Sequence, residues 1–242
     1  MFTKEIDLAL LNNEIDIAVH SLKDVPTKLP LGVIQGAVLQ RGSELDIIIP
    51  NNPLKSKENT IATGSLRRKA QWLNRFKTDK IVEIRGNVQT RLRKLKENNW
   101  NGTIMAKAGL ERLEILPEYY QELNWMIPAP AQGAISVQNL TIKPSITKML
   151  KQINHAETEI CTNIERSFLN KLEGGCTAPI GAYAKIANKS IVFRAVLLSA
   201  EGKNKIEINE VEKLENIEGL GERFAKKIIS LGGDKILNSL KG

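Results

Sequence analysis

Residues 60–76 read TIATGSLRRKAQWLNRF, a succession of strand, turn and helix signals. The apolar pair at 61–62 predicts a short buried strand, and apolar residues at helical spacing over 66–73 predict one buried helix face. Gly64 lies in the turn between them. A strand–turn–helix unit of this kind is the building block of α/β folds.

The same unit recurs through the central part of the chain. Apolar runs at 46–49, 81–84 and 103–106 predict further strands, and the apolar stripe over 88–95 predicts a helix between the last two. Alternating strands and helices predict a mostly parallel sheet with helices on both of its faces. The expected fold class is therefore α/β.

The amino-terminal residues predict a helix followed by a strand. Residues 2–10 are apolar at helical spacing, and then Ile15, Ile17 and Val19 alternate with smaller or polar residues as in a half-buried strand. A first strand and its crossover would be expected before such a helix. We therefore expect the first α/β domain to be truncated, with an amino-terminal segment missing before Met1.

The last third of the chain predicts a separate α+β domain. A long helix over 157–172 is followed by strands at 182–186, 191–198 and 205–210, and an amphipathic helix over 217–228 ends the pattern.

The composition indicates a globular protein with a preference for anions. The chain has 242 residues, 42% of them hydrophobic, and a formal net charge of +8. Such a charge suits nucleic acid, a lipid surface or a small polyanion, or it reflects a lysine-rich composition without functional cause. Charge alone does not choose among these.

The chain has only two cysteines, at 161 and 176, which fits a reducing compartment. No apolar signal core and no apolar run of about 18 residues is present, so export and membrane insertion are not expected. The cysteines and the two histidines lack ligand spacing, and no metal site is predicted. The expected location is the cytosol.

Arginines follow two predicted strands at the point where each ends. Arg67 and Arg68 open one helix, while Arg85 precedes the next helix and Arg91 lies one turn into it. Ligands of open α/β sheets bind at the carboxyl ends of the strands, so these four could meet one polyanion. Basic helix starts that only face solvent are the alternative.

Two further segments could carry chemistry. Lys23 and Asp24 lie at the end of the first strand, where Asp24 could act chemically or merely cap the turn. Cys176 lies on a glycine-rich loop, where its thiolate could be a nucleophile or a covalent attachment point. Cys161 lies within an amphipathic helix and is interpreted as a core residue.

Five motifs resemble, in order and spacing, those of the hydroxymethylbilane synthase (porphobilinogen deaminase) family. They are residues 20–26 (HSLKDVP), 64–68 (GSLRR), 85–88 (RGNV) with Arg91, 128–134 (PAPAQGA) and 174–181 (GGCTAPIG). Each is short, but five in register over nearly the whole chain make coincidence untenable.

The resemblance implies three domains. Two periplasmic-binding-protein-like α/β domains face a cleft, and a small α+β domain carries a cofactor. On this chain, residues 1–40 and 132–150 would form the truncated first domain, 41–131 the second and 151–242 the third.

The resemblance also implies the chemistry. Four porphobilinogen molecules are joined head to tail with loss of ammonia on a dipyrromethane bound through Cys176, and hydrolysis releases hydroxymethylbilane. Asp24 matches the catalytic aspartate. The remaining matches are cofactor contacts at Lys23, Ser65, Arg67, Arg68 and Arg85, and substrate contacts at Arg85, Arg91 and Arg112.

The sequence departs from the family at its start, since the opening strand and Gly-Thr-Arg-x-Ser motif are absent. A catalytically weak or inactive truncated member is therefore one alternative, and an anion-binding module without chemistry is another. Nucleic-acid binding is not expected, because basic and aromatic residues do not interleave. The expected partners are porphobilinogen and the growing polypyrrole, and the expected state is a monomer.

Overall fold

The structure is a computed structural model that describes residues 3–51, 53–54, 58–172 and 178–240. The helices of these residues are α1 (Lys4–Leu11), α2 (Leu66–Arg75), α3 (Val88–Glu97), α4 (Lys107–Arg112), α5 (Pro144–Leu150), α6 (Ala156–Lys171), α7 (Leu220–Ile228) and α8 (Asp234–Ser239). The strands are β1 (Ala18–Ser21), β2 (Val33–Val38), β3 (Asp46–Pro50), β4 (Thr60–Ala62), β5 (Lys80–Val82), β6 (Gly102–Ala106), β7 (Gln121–Glu122), β8 (Ile135–Leu140), β9 (Ile180–Ala187), β10 (Ser190–Leu198) and β11 (Lys205–Lys213).

The strands form three sheets, with the orders β1-β8-β2, β5-β4-β6-β3-β7 and β11-β10-β9. The predicted fold class, two α/β units followed by an α+β unit, is confirmed. Because β8 joins the first sheet after the chain has built the second, the chain crosses twice between these two sheets. The domain boundaries proposed from the sequence stay a prediction.

In the first sheet, the central strand β8 pairs antiparallel with β1 and β2. The alternation predicted around β1 is present, but its larger apolar residues are not the buried ones. Ala18 and His20 are buried, whereas Val19 is 55% exposed. Leu10 of α1 packs against Ala18, so the small side chain faces the helix and the larger one faces out.

In the second sheet, β3 is antiparallel to its neighbours β6 and β7, while β4 is parallel to β5 and β6. Four of the five strands therefore run in one direction, and only β3 is reversed. The prediction of a mostly parallel sheet is confirmed for four of the strands, but it did not include the reversed direction of β3. Both faces are covered, since Ile48 lies in a cluster with Trp72 of α2, and Ile47 in one with Leu95 of α3.

The third sheet is an antiparallel meander covered by α6 and α7. Phe193 of β10 stacks on Phe224 of α7 and meets Phe168 of α6 edge to face. Cys161 lies in this core, 5% exposed, and burial raises the pKa of its thiol to about 11. Its interpretation as a core residue is confirmed.

One buried carboxylate on α6 holds the region where the chain crosses between the first two sheets. Glu165 has no exposed surface and accepts hydrogen bonds from Nη1 and Nη2 of Arg41, at 2.6 and 3.2 Å. It also accepts the backbone N–H groups of Ala131 and Ala184, at 2.6 and 2.7 Å. Arg41 and Ala131 lie on the two crossings, so α6 fixes both of them to the third sheet.

The described residues were compared with the requirements of a membrane-spanning helix and of a metal site. None of their helices is long and apolar enough to cross a membrane. The same residues contain no group of three His, Cys, Asp or Glu side chains suited to a metal ion.

Candidate active site

The candidate site begins at the turn between β4 and α2. Ser65 caps the helix, and its hydroxyl accepts the backbone N–H of Arg68 at 3.4 Å. A side chain at Gly64 would come within 2.6 Å of the carbonyl oxygen of Ile84, so the close approach of these two strand ends requires glycine. The turn thus delivers Arg67 and Arg68 to the edge of the second sheet.

A buried aspartate receives both arginines. Asp46 has no exposed surface, and its carboxylate lies 2.7 Å from Nη1 of Arg67 and 2.8 Å from Nη2 of Arg68. Burial alone would raise the pKa of Asp46, but the two guanidinium charges and their hydrogen bonds hold it well below its usual range. Asp46 is therefore ionised at neutral pH and sets the positions of both side chains.

The reversed strand explains how Asp46 reaches this edge. It is the first residue of β3 and pairs with Ala106, the last residue of β6. Because β3 runs against β6, its amino-terminal end lies beside the carboxyl ends of the parallel strands. A carboxylate from one strand and two arginines from the next helix then meet.

Each of the two guanidinium groups also donates to a backbone carbonyl. Arg67 donates to the carbonyl oxygen of Ile127 at 2.8 Å, and Arg68 to that of Ile104 at 3.2 Å. Nε of Arg67 is buried and has no hydrogen-bond partner among the described residues. Both groups are held in place before any ligand arrives.

The turn at Lys23 and Asp24 joins the same site. Lys23 is half-buried and donates to Oε1 of Gln132 at 3.4 Å, while Nε2 of Gln132 donates to Asp46 at 3.0 Å. Burial lowers the pKa of Lys23 to about 8, with the charge of Arg68 acting in the same direction and that of Asp24 opposing it. Lys23 and Asp24 therefore lie within electrostatic range of the arginines.

Arg91 completes the group. It lies half-buried on α3, where burial lowers its pKa, the charge of Arg68 lowers it further and that of Asp24 opposes both. We call Lys23, Asp24, Asp46, Arg67, Arg68 and Arg91 the cationic cluster. The cluster contains four cationic side chains and two carboxylates, so it carries two uncompensated positive charges.

The structure does not bring three of the residues predicted from the sequence into the cluster: two lie elsewhere, and the third is not among the described residues. The side chain of Arg85 is 84% exposed and pairs with Glu83 at 2.6 Å, so the structure does not bring it to the cluster. Arg112 donates to the carbonyl oxygen of Gly133, at the crossing between the first two sheets. Cys176 lies outside the described residues. Their assigned roles stay predictions.

Sequence reasoning missed two residues of the site, Asp46 and Gln132. Asp46 was treated only as the start of an apolar strand, and Gln132 only as part of a turn. The available signal was the carboxylate that directly precedes the run from Ile47 to Ile49. A charge beside a fully buried strand requires an opposite charge nearby.

Comparison with known families identifies the chain. Residues 1–148 match the family model described as "Porphobilinogen deaminase, dipyromethane cofactor binding domain". Residues 159–230 match the model described as "Porphobilinogen deaminase, C-terminal domain". The cationic cluster lies entirely within the first of these two matches.

Curated relatives agree with the family models. A porphobilinogen deaminase of Desulforamulus reducens is 40% identical over 252 residues, covering 100% of this chain and 80% of the relative. One from Listeria monocytogenes is 38% identical over 250 residues with the same coverage, and one from Nostoc is 36% identical over 249, covering 99% of this chain and 77% of that relative.

Solved structures give only a distant likeness. A probable amino-acid transporter binding protein of Bacillus subtilis, YtmK, has a TM-score of 0.40 at 12% identity, covering 63% of this chain and 69% of its own. The glutamate-bound GluR0 ligand-binding core has a TM-score of 0.35 at 15% identity, covering 69% and 71%. These scores add nothing to the family match. Because two family models match the chain and curated relatives align with its whole length, the chain belongs to the porphobilinogen deaminase family.

Proposed function

We propose that the chain acts as a hydroxymethylbilane synthase, joining porphobilinogen units with release of ammonia in tetrapyrrole synthesis, and that the cationic cluster is its active site. The single observation that carries this assignment is the cluster itself. The cluster combines four cationic side chains with two carboxylates at the strand ends, within residues that match a cofactor-binding family model.

The cluster fits a dipyrromethane cofactor. Each of its pyrroles carries acetate and propionate groups, so a carboxylate-bearing ligand would neutralise the two uncompensated charges, and the unpaired Nε of Arg67 supplies a further donor. When bound, this group supplies the pyrrole end to which incoming units are joined. We propose Cys176 as its attachment point; in sequence it follows the end of α6 by five residues.

Asp24 is the proposed catalytic residue. It is exposed, unlike the buried Asp46, and so can reach a bound ligand. Joining two pyrroles places positive charge on a ring nitrogen, and a fixed carboxylate beside that nitrogen stabilises the charge and can take up or return a proton. Asp46 cannot serve in this way, because both of its oxygens are bound by Arg67 and Arg68.

The other proposed roles follow from position. Arg67, Arg68 and Lys23 bind cofactor carboxylates, and Ser65 supports them by capping α2. Arg91 binds the substrate, since its charge interacts electrostatically with those of both Arg68 and Asp24. Arg85 and Arg112 are proposed as further contacts on the basis of their motifs alone.

The test is mass spectrometry of the purified chain under denaturing conditions, together with an assay of porphobilinogen consumption. We expect a dipyrromethane adduct on the peptide that contains Cys176 and no adduct in Cys176→Ser. Asp24→Asn should keep its fold and lose roughly a hundred-fold or more in turnover. The matched control is Asp16→Asn, whose carboxylate pairs with Lys143 at the surface. Turnover by a protein with an unmodified Cys176 thiol would overturn the assignment.

We further infer a cytosolic monomer. The support is the family resemblance and the low number of cysteines. Light scattering of the eluting peak in size-exclusion chromatography tests the oligomeric state, and a dimer mass at micromolar concentration would contradict it.

A further inference from the structure

An arginine of the third unit binds the backbone of the turn that carries Asp24. Arg166 of α6 donates through Nη1 to the carbonyl oxygens of Leu22 and Val25, at 3.1 and 2.9 Å. Through Nη2 it donates to the carbonyl oxygen of Pro26, at 2.6 Å. One guanidinium group therefore binds carbonyls on both sides of Lys23 and Asp24 in sequence.

The turn has few other restraints. Leu22 is fully buried and its N–H bonds to the carbonyl oxygen of Ala134, but after it only a weak bond from Val25 N–H to Leu22, at 3.3 Å, continues the short 3-10 turn. Pro26 has no N–H to donate. Two other side-chain hydrogen bonds hold this segment. Lys23 donates to Oε1 of Gln132 at 3.4 Å, and Thr27 donates to Oδ1 of Asn170, which also lies on α6, at 3.2 Å.

Partial burial of the Arg166 charge is energetically unfavourable, which indicates that this side chain has a specific structural role. It is half-buried, burial lowers its pKa, and no carboxylate pairs with it among the described residues. A desolvated charge without a counter-charge is unfavourable unless its hydrogen bonds compensate for the lost water. Here three carbonyl oxygens provide the compensation, and all of them belong to the Asp24 turn.

The neighbouring residue has a related role. Glu165 fixes the two crossings between the first and second sheets, and Arg166 fixes the Asp24 turn of the first. Two successive residues of α6 thus hold the turn and the crossings in fixed positions relative to this helix. The same helix leads in sequence to Cys176.

We propose that Arg166 is a positioning residue that sets the Asp24 carboxylate against the cationic cluster. This inference rests on the proposed function, since it assigns Arg166 a role that acts through Asp24. The planar guanidinium fork reaches three carbonyls at once, which the single ammonium group of lysine cannot reproduce. A small displacement of a catalytic group costs up to about a hundred-fold in rate.

The experiment compares Arg166→Gln and Arg166→Lys with Arg223→Gln in the full chain. Arg223 is the matched control, because it also bonds two backbone carbonyls, those of Asn216 and Glu218, but lies away from the cluster. We expect kcat to fall roughly ten- to a hundred-fold in Arg166→Gln, with KM and cofactor loading little changed. Arg166→Lys should recover only part of the loss, and Arg223→Gln should behave as the parent.

A double-mutant cycle with Asp24→Asn separates positioning from general destabilisation. If Arg166 acts through Asp24, then adding Arg166→Gln to Asp24→Asn should cause little further loss of kcat. Fully additive losses would overturn the proposal, as would a kcat of Arg166→Gln equal to that of the parent.

Hydrogen exchange gives a readout that does not depend on turnover. The peptide spanning residues 20–28 should exchange faster in Arg166→Gln than in Arg223→Gln, because the turn loses its clamp. Unchanged exchange would refute the proposal even if the parent chain consumes no porphobilinogen. If the parent chain is inactive and carries no cofactor, but residues 20–28 still exchange faster in Arg166→Gln, the proposed function is refuted. The role of Arg166 in holding the turn is then still supported.

Discussion

Nη1 of Arg67 lies 2.7 Å from Oδ2 of Asp46, and neither side chain is more than 5% exposed. A buried pair of this kind contributes modestly to stability as a pair, but it is costly to break, since the remaining charge is left without a partner. Here two charges would lose their partner, because Arg68 depends on the same carboxylate.

Replacing Asp46 with Asn should therefore destabilise the protein strongly. We expect the free energy of unfolding, measured by urea denaturation, to fall by about 3–5 kcal/mol. Asp79→Asn is the control, because Asp79 is also buried but binds the neutral groups of Asn59 and Trp72. Its loss should be about 1–3 kcal/mol. Equal losses in the two variants would show that the arginine charges do not matter.

Asp46 should also make stability fall in acid. Its pKa is held below the unfolded value, so its contribution is complete above about pH 4 and is lost as the pH falls below that value. The slope of unfolding free energy against pH in this range should be shallower in Asp46→Asn than in the parent. An identical slope would contradict the ion pairing.

Lys23 should also make stability rise with pH, but in the alkaline range. Its pKa is about 8 in the folded protein and about 10.4 when unfolded, so burying its charge destabilises the protein below pH 8. That penalty fades as the pH rises from 8 to about 10.4. Lys23→Met should thus stabilise the protein at pH 7 and less so at pH 10. Lys28→Met, at an exposed position on the same segment, should show no such trend.

Glu165→Gln should loosen the two crossings. The amide keeps the size of the side chain but removes the charge that balances Arg41, so we expect a loss of about 3–5 kcal/mol. Limited proteolysis should cut first within residues 39–45 or 129–134. Glu157→Gln, an exposed position on the same helix, is the control. If Glu165→Gln is as stable as the parent, Glu165 does not hold the two crossings in place.

Cys161 should be inert in the folded protein. Its burial and raised pKa leave little thiolate near neutral pH. Iodoacetamide should label it only after addition of denaturant, as followed by peptide mass spectrometry. Rapid labelling of Cys161 under native conditions would show that this core opens.

Local sequence patterns predicted the elements well. The helix predicted over 157–172 is α6, and the three strands predicted after residue 180 are β9, β10 and β11 with longer ends. These elements follow from the period of their apolar residues, which any packing against a single face preserves. The order and spacing of the motifs likewise indicated the family before any contact was known.

Period alone does not say which face of a strand is covered. Around β1 the larger apolar residues alternate correctly, but α1 covers the side of Ala18 and His20 and leaves Val19 exposed. The choice depends on where a neighbouring helix lies, and residues 15–19 carry no information about that.

The amino-acid sequence by itself thus determined most of the helices and strands, though not β2, β7, α5 or α8, and it determined the family and the candidate residues Asp24, Arg67 and Arg68. Only the tertiary structure decided that β3 runs backwards, that Asp46 therefore lies beside Ala106, and that Arg85 stays outside the cluster. Strand direction is set by pairing between residues far apart in the chain, here 46 and 106. A local pattern reports the faces of an element, whereas the partners of a buried charge are decided by which elements meet.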